Sequence, residues 1–236
     1  MNPNFSKFCN LSLICADPLS IRDDLAYLSG LGLRRVHLDI MDAEFVPRFG
    51  LYPEMSLSLK NEFKFVFDAH FMVHDVIKSL REWRKYHNPS KVSFHFKGNE
   101  DRICDILDEI RGGDSKALLA VDLSIHDDDL IEVLQKYTPD GVMLLGITPG
   151  VLQQTHQPKK VLQRLKFLKS HALPLPTIQI DGGVNFLTIQ DLILNGATEL
   201  VCGSSTIYKD VSFGNEITKQ ELLLQNVGKF EACLNV

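Results

Sequence analysis

Apolar residues recur along this chain with two different periods. Short runs rich in aliphatic and β-branched side chains occupy 9–16 (CNLSLICA), 34–40 (RRVHLDI), 65–72 (FVFDAHFM), 91–96 (KVSFHF), 116–122 (KALLAVD), 140–146 (DGVMLLG), 176–181 (PTIQID) and 199–203 (ELVCG). Each has the length and composition of a buried strand. Between them the spacing turns helical: Ile21, Leu25 and Leu28; Ile103, Ile106, Leu107 and Ile110; Val161, Leu165 and Leu168; and finally Leu223, Val227, Phe230 and Leu234. Asp17 before Pro18 predicts a helix start, and Gly30 and Gly196 predict helix stops. Strand and helix alternating eight times predict an α/β fold, a single (β/α)8 TIM barrel, over a length close to the usual ~250 residues. An open doubly wound sheet is the alternative. No linker-like stretch interrupts the pattern, so residues 1–236 are expected to form one domain.

Four potential metal ligands fall within these strands. Side chains alternate along a strand, so His37, Asp39 and Met41 share one face, as do Asp68, His70 and Met72. Asp181 closes the seventh strand, immediately before Gly182 and Gly183. Barrel enzymes build their sites at the C-terminal ends of the strands, which is where these residues fall. Two imidazoles and two carboxylates form a nitrogen and oxygen donor set suited to a divalent transition ion. Buried without a partner, such groups carry a heavy desolvation cost, which favours a site over packing.

The formal net charge of −5 and the lack of a Lys/Arg cluster argue against nucleic acid or an acidic membrane surface as partner and for a small molecule. No stretch of about 18 apolar residues is present to span a bilayer, and the N-terminus lacks a signal pattern, so a cytoplasmic location is expected. Cys9, Cys15, Cys104, Cys202 and Cys233 are widely spaced without a CxxC pair, as expected of reduced core thiols.

Over roughly residues 9 to 210 the chain resembles the ribulose-phosphate 3-epimerase family. The likeness is carried by LSLICAD with Ser12, VHLDIMDAEFVP (36–47), DAHFMV (68–73), ITPG (147–150), IDGGVN (180–185) and VCGSS (201–205). The resemblance implies a ribulose-phosphate-binding barrel with a divalent metal held by His37, Asp39, His70 and Asp181, zinc first and Mn²⁺, Fe²⁺ or Co²⁺ as alternatives. It implies Asp39 and Asp181 as acid and base for epimerisation at C3 of a ketose phosphate, by default D-ribulose 5-phosphate to D-xylulose 5-phosphate, through a metal-stabilised enediolate. Ser12, Met41, His70 and Met72 would face the substrate, and Gly150, Gly182, Gly183, Gly203 and Ser204 its phosphate. Family habit suggests a homo-oligomer.

The chain also departs from that pattern. Leu152 and Gln153 stand in a segment that is usually glycine-rich, Arg48 and Tyr52 replace a small polar residue and a glycine, Leu145 replaces a methionine and Cys15 a serine. Arg48 is a candidate for a charge-assisted anion contact. These changes keep two alternatives open: a 3-epimerase of a related hexulose phosphate or other ketose, and a barrel that binds sugar phosphate or metal without catalysis. The Asp-x-Lys-x-x-Asp array of a decarboxylase branch is absent, since Asp39-Ile40-Met41-Asp42 carries methionine at the lysine position. His95 ends the fourth strand where it can line a pocket, or serve as an ordinary core histidine.

Overall fold

Eight parallel strands follow one another around a closed ring: β1 (Cys9–Ser12), β2 (Arg35–Met41), β3 (Val66–Met72), β4 (Lys91–His95), β5 (Lys116–Val121), β6 (Gly141–Leu145), β7 (Thr177–Asp181) and β8 (Glu199–Cys202), with β8 returning to pair with β1. The computed structural model describes residues 3–150, 157–171, 173–211 and 218–234. A short helix α1 (Pro3–Phe8) precedes β1, and each strand is followed by a helix: α2 (Ile21–Gly30), α3 (Pro53–Glu62), α4 (Val76–Arg84), α5 (Ile103–Gly112), α6 (Asp127–Tyr137), α7 (Pro158–Ser170), α8 (Ile189–Leu194) and α9 (Lys219–Leu234). This is the (β/α)8 barrel expected from the alternation, and the ring has no open edge.

The apolar core lies between barrel and helices. Outward residues such as Leu38, Phe71, Phe94, Leu144 and Leu200 bury against Leu28, Trp83, Ile106, Ile110 and Leu165 on the helices. Each such side chain contributes about 1.5–3 kcal/mol on burial. The inside of the barrel has another composition. Asn10, Ser12, His37, Asp39, Asp68, His70, Lys91, Ser93, Gln179 and Glu199 are all buried, with Ala120, Met143 and Leu145 as a separate apolar patch. Barrels of this class usually fill that space with branched aliphatic layers, so the polar interior marks where this chain spends stability on chemistry.

Several local expectations need correction. The first strand ends at Ser12, because Leu13–Cys15 tightens into a 3₁₀ turn. Asp17 and Pro18 do not start a helix: the Asp17 carboxylate accepts from the Leu19 amide at 3.1 Å and the Ser20 hydroxyl at 3.2 Å, making a turn ahead of α2. Gly30 is the last residue within α2, and the left-handed stop falls on Gly32 (φ 97°), where the Leu33 amide reaches back to the Leu28 carbonyl. Gly196 (φ 108°) closes α8 in the same way, as expected. All five cysteines are free, but Cys104 is exposed and is not a core thiol. Among the described residues no helix is long and apolar enough to cross a membrane.

Candidate active site

The register between β2 and β3 sets the centre. His37 lies beside Asp68, Asp39 beside His70 and Met41 beside Met72, so two donor-bearing strands present their side chains to the barrel interior in step. Asp181 joins them from the end of β7. One ligand atom from each of His37, Asp39, His70 and Asp181 lies within 4.8 Å of all the others. Nε2 of His37 is 3.4 Å from Asp39 Oδ1, and Nδ1 of His70 is 3.7 Å from Asp39 Oδ1 and 3.6 Å from Asp181 Oδ2.

The pattern of unsatisfied atoms identifies what this cluster fits. His37 is fully buried, with Nδ1 2.5 Å from Asp68 Oδ1. An ionised carboxylate only accepts, so Nδ1 carries a proton and Nε2 faces the cluster, where it holds a second proton or gives its lone pair to an ion. The Nε2 of His70 stands 2.9 Å from Nε2 of His95, which turns Nδ1 towards Asp39 and Asp181. Among the described residues His37 Nε2 and His70 Nδ1 have no hydrogen-bond partner, although an orphaned buried polar atom costs about 1–3 kcal/mol. Two lone pairs and two carboxylates pointed at one spot fit a divalent transition ion.

The electrostatics agree. Burial alone would raise the Asp39 carboxyl, but His37 and His70 hold it well below the usual carboxylate range. Burial likewise opposes charge on His37, yet Asp68 and Asp39 push the ring well above its ordinary value. His70 is raised against its own burial by Asp181 and Asp39. His95 goes the other way: burial, then the neighbouring His70, holds it neutral. The carboxylates thus draw positive charge to the centre, as proton or as metal ion.

Above this cluster a cavity of about 170 Å³ opens at the C-terminal mouth of the barrel. That is smaller than the roughly 300–1,000 Å³ of pockets for drug-sized molecules, and it suits a compact ligand. Ser12, Asp39, Met41, His70, Met72, Gly150, Asp181, Gly182, Gly183, Gly203 and Ser204 all line it, while His37 lies buried behind. Ser12 donates to Asp39 Oδ2 at 3.2 Å and so orients that carboxylate. Met41 and Met72 form an apolar wall with Val46. Gly182 and Gly183 take φ of 80° and 82°, a left-handed pair that side chains would strain. Arg48, Leu145 and Cys15 line the same cavity, whereas Leu152 and Gln153 lie outside the described residues.

Sequence reasoning leaves Asp68 without a role and His95 open between lining a pocket and packing in the core. Asp68 orients His37, and its signal was its position two residues before His70 on the same face. His95, at the end of β4, is buried against His70 and is not among the described residues that line the cavity. Beneath them lies a charged floor with no sequence signal at all. Asn10 bridges Asp68 and Glu199 with its amide at 2.9 Å from each, Gln179 donates to both carboxylates, and Lys91 and Arg35 pair with Glu199.

The model of the ribulose-phosphate 3 epimerase family matches residues 9–208. Ribulose-phosphate 3-epimerase of Buchnera aphidicola subsp. Schizaphis graminum is 26% identical over 227 residues, covering 93% of this chain and 96% of that relative. The enzyme of the same name from Schizosaccharomyces pombe is 23% identical, covering 84% and 85%. Among solved structures, 3-hexulose-6-phosphate synthase from Salmonella typhimurium superposes with a TM-score of 0.71 at 11% identity, covering 96% of this chain and 98% of that one. At that identity the likeness shows the fold alone.

Proposed function

The chain belongs to the ribulose-phosphate 3-epimerase family, a family of isomerases, and from that premise we propose that it inverts C3 of a ketose phosphate in a metal-dependent reaction. The default pair is D-ribulose 5-phosphate and D-xylulose 5-phosphate. The observation that carries the proposal is the convergence of two carboxylates from separate strands, Asp39 and Asp181, on His70 at the base of the cavity.

Inverting a carbon next to a ketone requires a proton taken from one face and another delivered to the opposite face. One carboxylate accepts the C3 proton, the C–H electron pair becomes the C2=C3 bond while the carbonyl π pair moves onto the C2 oxygen, and an enediolate forms. The other aspartate, protonated, then delivers to C3 from its own side as the oxygen pair re-forms the C2 carbonyl and the C2=C3 pair takes up the proton, and the two protonation states reset through solvent at the cavity mouth. Acid and base catalysis of this kind contributes about 10²- to 10⁴-fold. His37, Asp39, His70 and Asp181 would hold the ion, zinc first and Mn²⁺, Fe²⁺ or Co²⁺ as alternatives, and when bound it supplies Lewis-acid stabilisation of charge developing on substrate oxygen. Ser12 keeps Asp39 oriented, and Met41 and Met72 give the planar intermediate a polarisable, water-excluding wall. The amides of Gly150, of the Gly182-Gly183 turn and of the Gly203-Ser204 turn suit the phosphate. A hexulose phosphate is the second substrate reading, since Arg48, Leu145 and Cys15 depart from the family pattern in the lining of the cavity.

The test is deuterium incorporation in D₂O, followed by NMR, with metal-loaded and chelated protein and with ribulose 5-phosphate, a ketohexose 6-phosphate and an unphosphorylated pentulose. Metal-dependent deuterium at C3, lost by orders of magnitude in Asp181→Asn, is the expected result. No exchange from any of the three sugars by folded, metal-loaded protein would remove the epimerase reading and leave a binding barrel.

A further inference from the structure

Arg48 stands apart from every other arginine of the chain. The others donate to a carboxylate or to main-chain carbonyls, as in Arg35–Glu199 and Arg164–Asp127, both at 2.7 Å, or Arg34 on the Ser29 and Leu33 carbonyls. Among the described residues Arg48 has no such partner for its guanidinium, although it is half-buried and lines the active-site cavity. It is also the one arginine or lysine among the described residues of that lining.

The backbone beneath Arg48 is held firmly. Asp42 accepts the Glu44 and Phe45 amides at 2.9 Å with one carboxylate oxygen and the His74 amide at 2.6 Å with the other. The Arg48 carbonyl accepts from Ala43 at 2.9 Å, Asp42 bridges to Phe49, and the returning limb is stitched to β2 by Gly50 on the Met41 carbonyl and Leu51 on the Asp39 carbonyl, at 3.1 and 2.8 Å. The guanidinium is therefore tethered to the strand end that carries Asp39. A cation half out of water with no partner among the described residues awaits an anion, and its planar fork matches phosphate oxygens in pairs.

We propose that Arg48 binds the phosphate of the substrate and makes this enzyme selective for phosphorylated over free ketoses. The proposal rests on the epimerase reading, and its test separates the two. Arg48→Ala and Arg48→Gln are compared with wild type in C3 deuterium exchange and, independently of turnover, in titration of the metal-loaded protein with inorganic phosphate. Loss of one charge-assisted contact predicts a KM for the ketose phosphate raised about 10- to 100-fold, with kcat little changed and exchange of an unphosphorylated pentulose unaffected. The dissociation constant for inorganic phosphate should rise by a similar factor. Unchanged KM and unchanged phosphate affinity in both variants would overturn the role of Arg48 while leaving the epimerase intact. If wild type exchanges no sugar, the epimerase reading falls, and the phosphate titration still decides the anion contact: weakened binding in the variants supports it, equal binding overturns it.

Discussion

Asp68 places one carboxylate oxygen 2.5 Å from Nδ1 of His37, deep inside the barrel and turned away from the cavity. That contact decides which imidazole nitrogen keeps a lone pair for the cluster. Asn at position 68 could donate its amide to Nδ1, which would move the ring proton to Nε2 and remove a donor. Asp68→Asn is expected to weaken metal binding about 10- to 100-fold, the usual cost of losing a partner that orients a ligand. Competition with a graded chelator measures this, and circular dichroism checks that the fold persists. Equal affinity in the variant would show that His37 is oriented by packing alone.

The floor under that pair is expected to be unforgiving. Lys91 donates to Glu199 and lies 4.0 Å from Asp68, and both Lys91 and Glu199 are less than a tenth exposed. Lys91→Met leaves Glu199 with Arg35 as its remaining cation and takes the positive charge from beside Asp68, so it should cost at most the full penalty of breaking a buried pair, about 3–5 kcal/mol. Adding Glu199→Gln should recover part of that loss, so the double variant loses less than the sum of the singles in urea unfolding. Strict additivity would mean that water already screens the floor.

His37, Asp39, His70 and Asp181 were legible in the sequence because alternation along a strand and the C-terminal placement of barrel sites both act locally. Asp68 was half legible: its parity puts it on the right face, but its partner is across the β2–β3 register. Asn10, Lys91, Gln179 and Glu199 are single polar residues on four different strands, and only closure of the ring brings them together. Alternation cannot reveal such a cluster, since each residue alone looks like one polar position in a buried strand. The end of β1 was misplaced for a related reason, because an apolar run does not say where a strand gives way to a tight turn. Arg48 was visible as a departure in sequence, but its lack of a partner among the described residues is a fact of the fold.

Gly50 tests how closely the Arg48 loop must approach β2. A Cβ at Gly50 would stand 2.4 Å from the Asp39 carbonyl oxygen and 2.5 Å from the Met41 amide, both main-chain atoms that cannot swing aside. Gly50→Ala should cost about 1–3 kcal/mol, typical of overpacking, and should lower kcat by shifting the strand end that carries Asp39. Gly228, inside α9 with nothing within 4 Å of such a Cβ, is the contrasting case. There alanine should stabilise by about 0.5–1 kcal/mol with activity unchanged. Thermal melts and exchange rates of the two variants distinguish a steric requirement at Gly50 from a general effect of removing glycine.

His87 carries a prediction about acid. Its ring sits edge-on to Phe67 with centroids 4.9 Å apart, and its Nδ1 has no hydrogen-bond partner among the described residues. Burial first, and Lys60 second, push its pKa down to about 4. Above the ordinary value of about 6.5 the ring is neutral in both native and unfolded chains and has no effect on the balance. As pH falls from there towards 4, the unfolded chain takes up a proton that the native protein refuses, so stability declines across that window and levels off below it. His95, also held down by burial and by His70, acts with the same sign in wild type and variant alike, and it cancels in the comparison. His87→Phe should therefore lose less stability than wild type on acidification. Urea midpoints measured from neutral pH down to about 4 should run parallel above about 6.5 and diverge below it. Parallel curves across the whole range would mean that the His87 proton is taken up equally in both states.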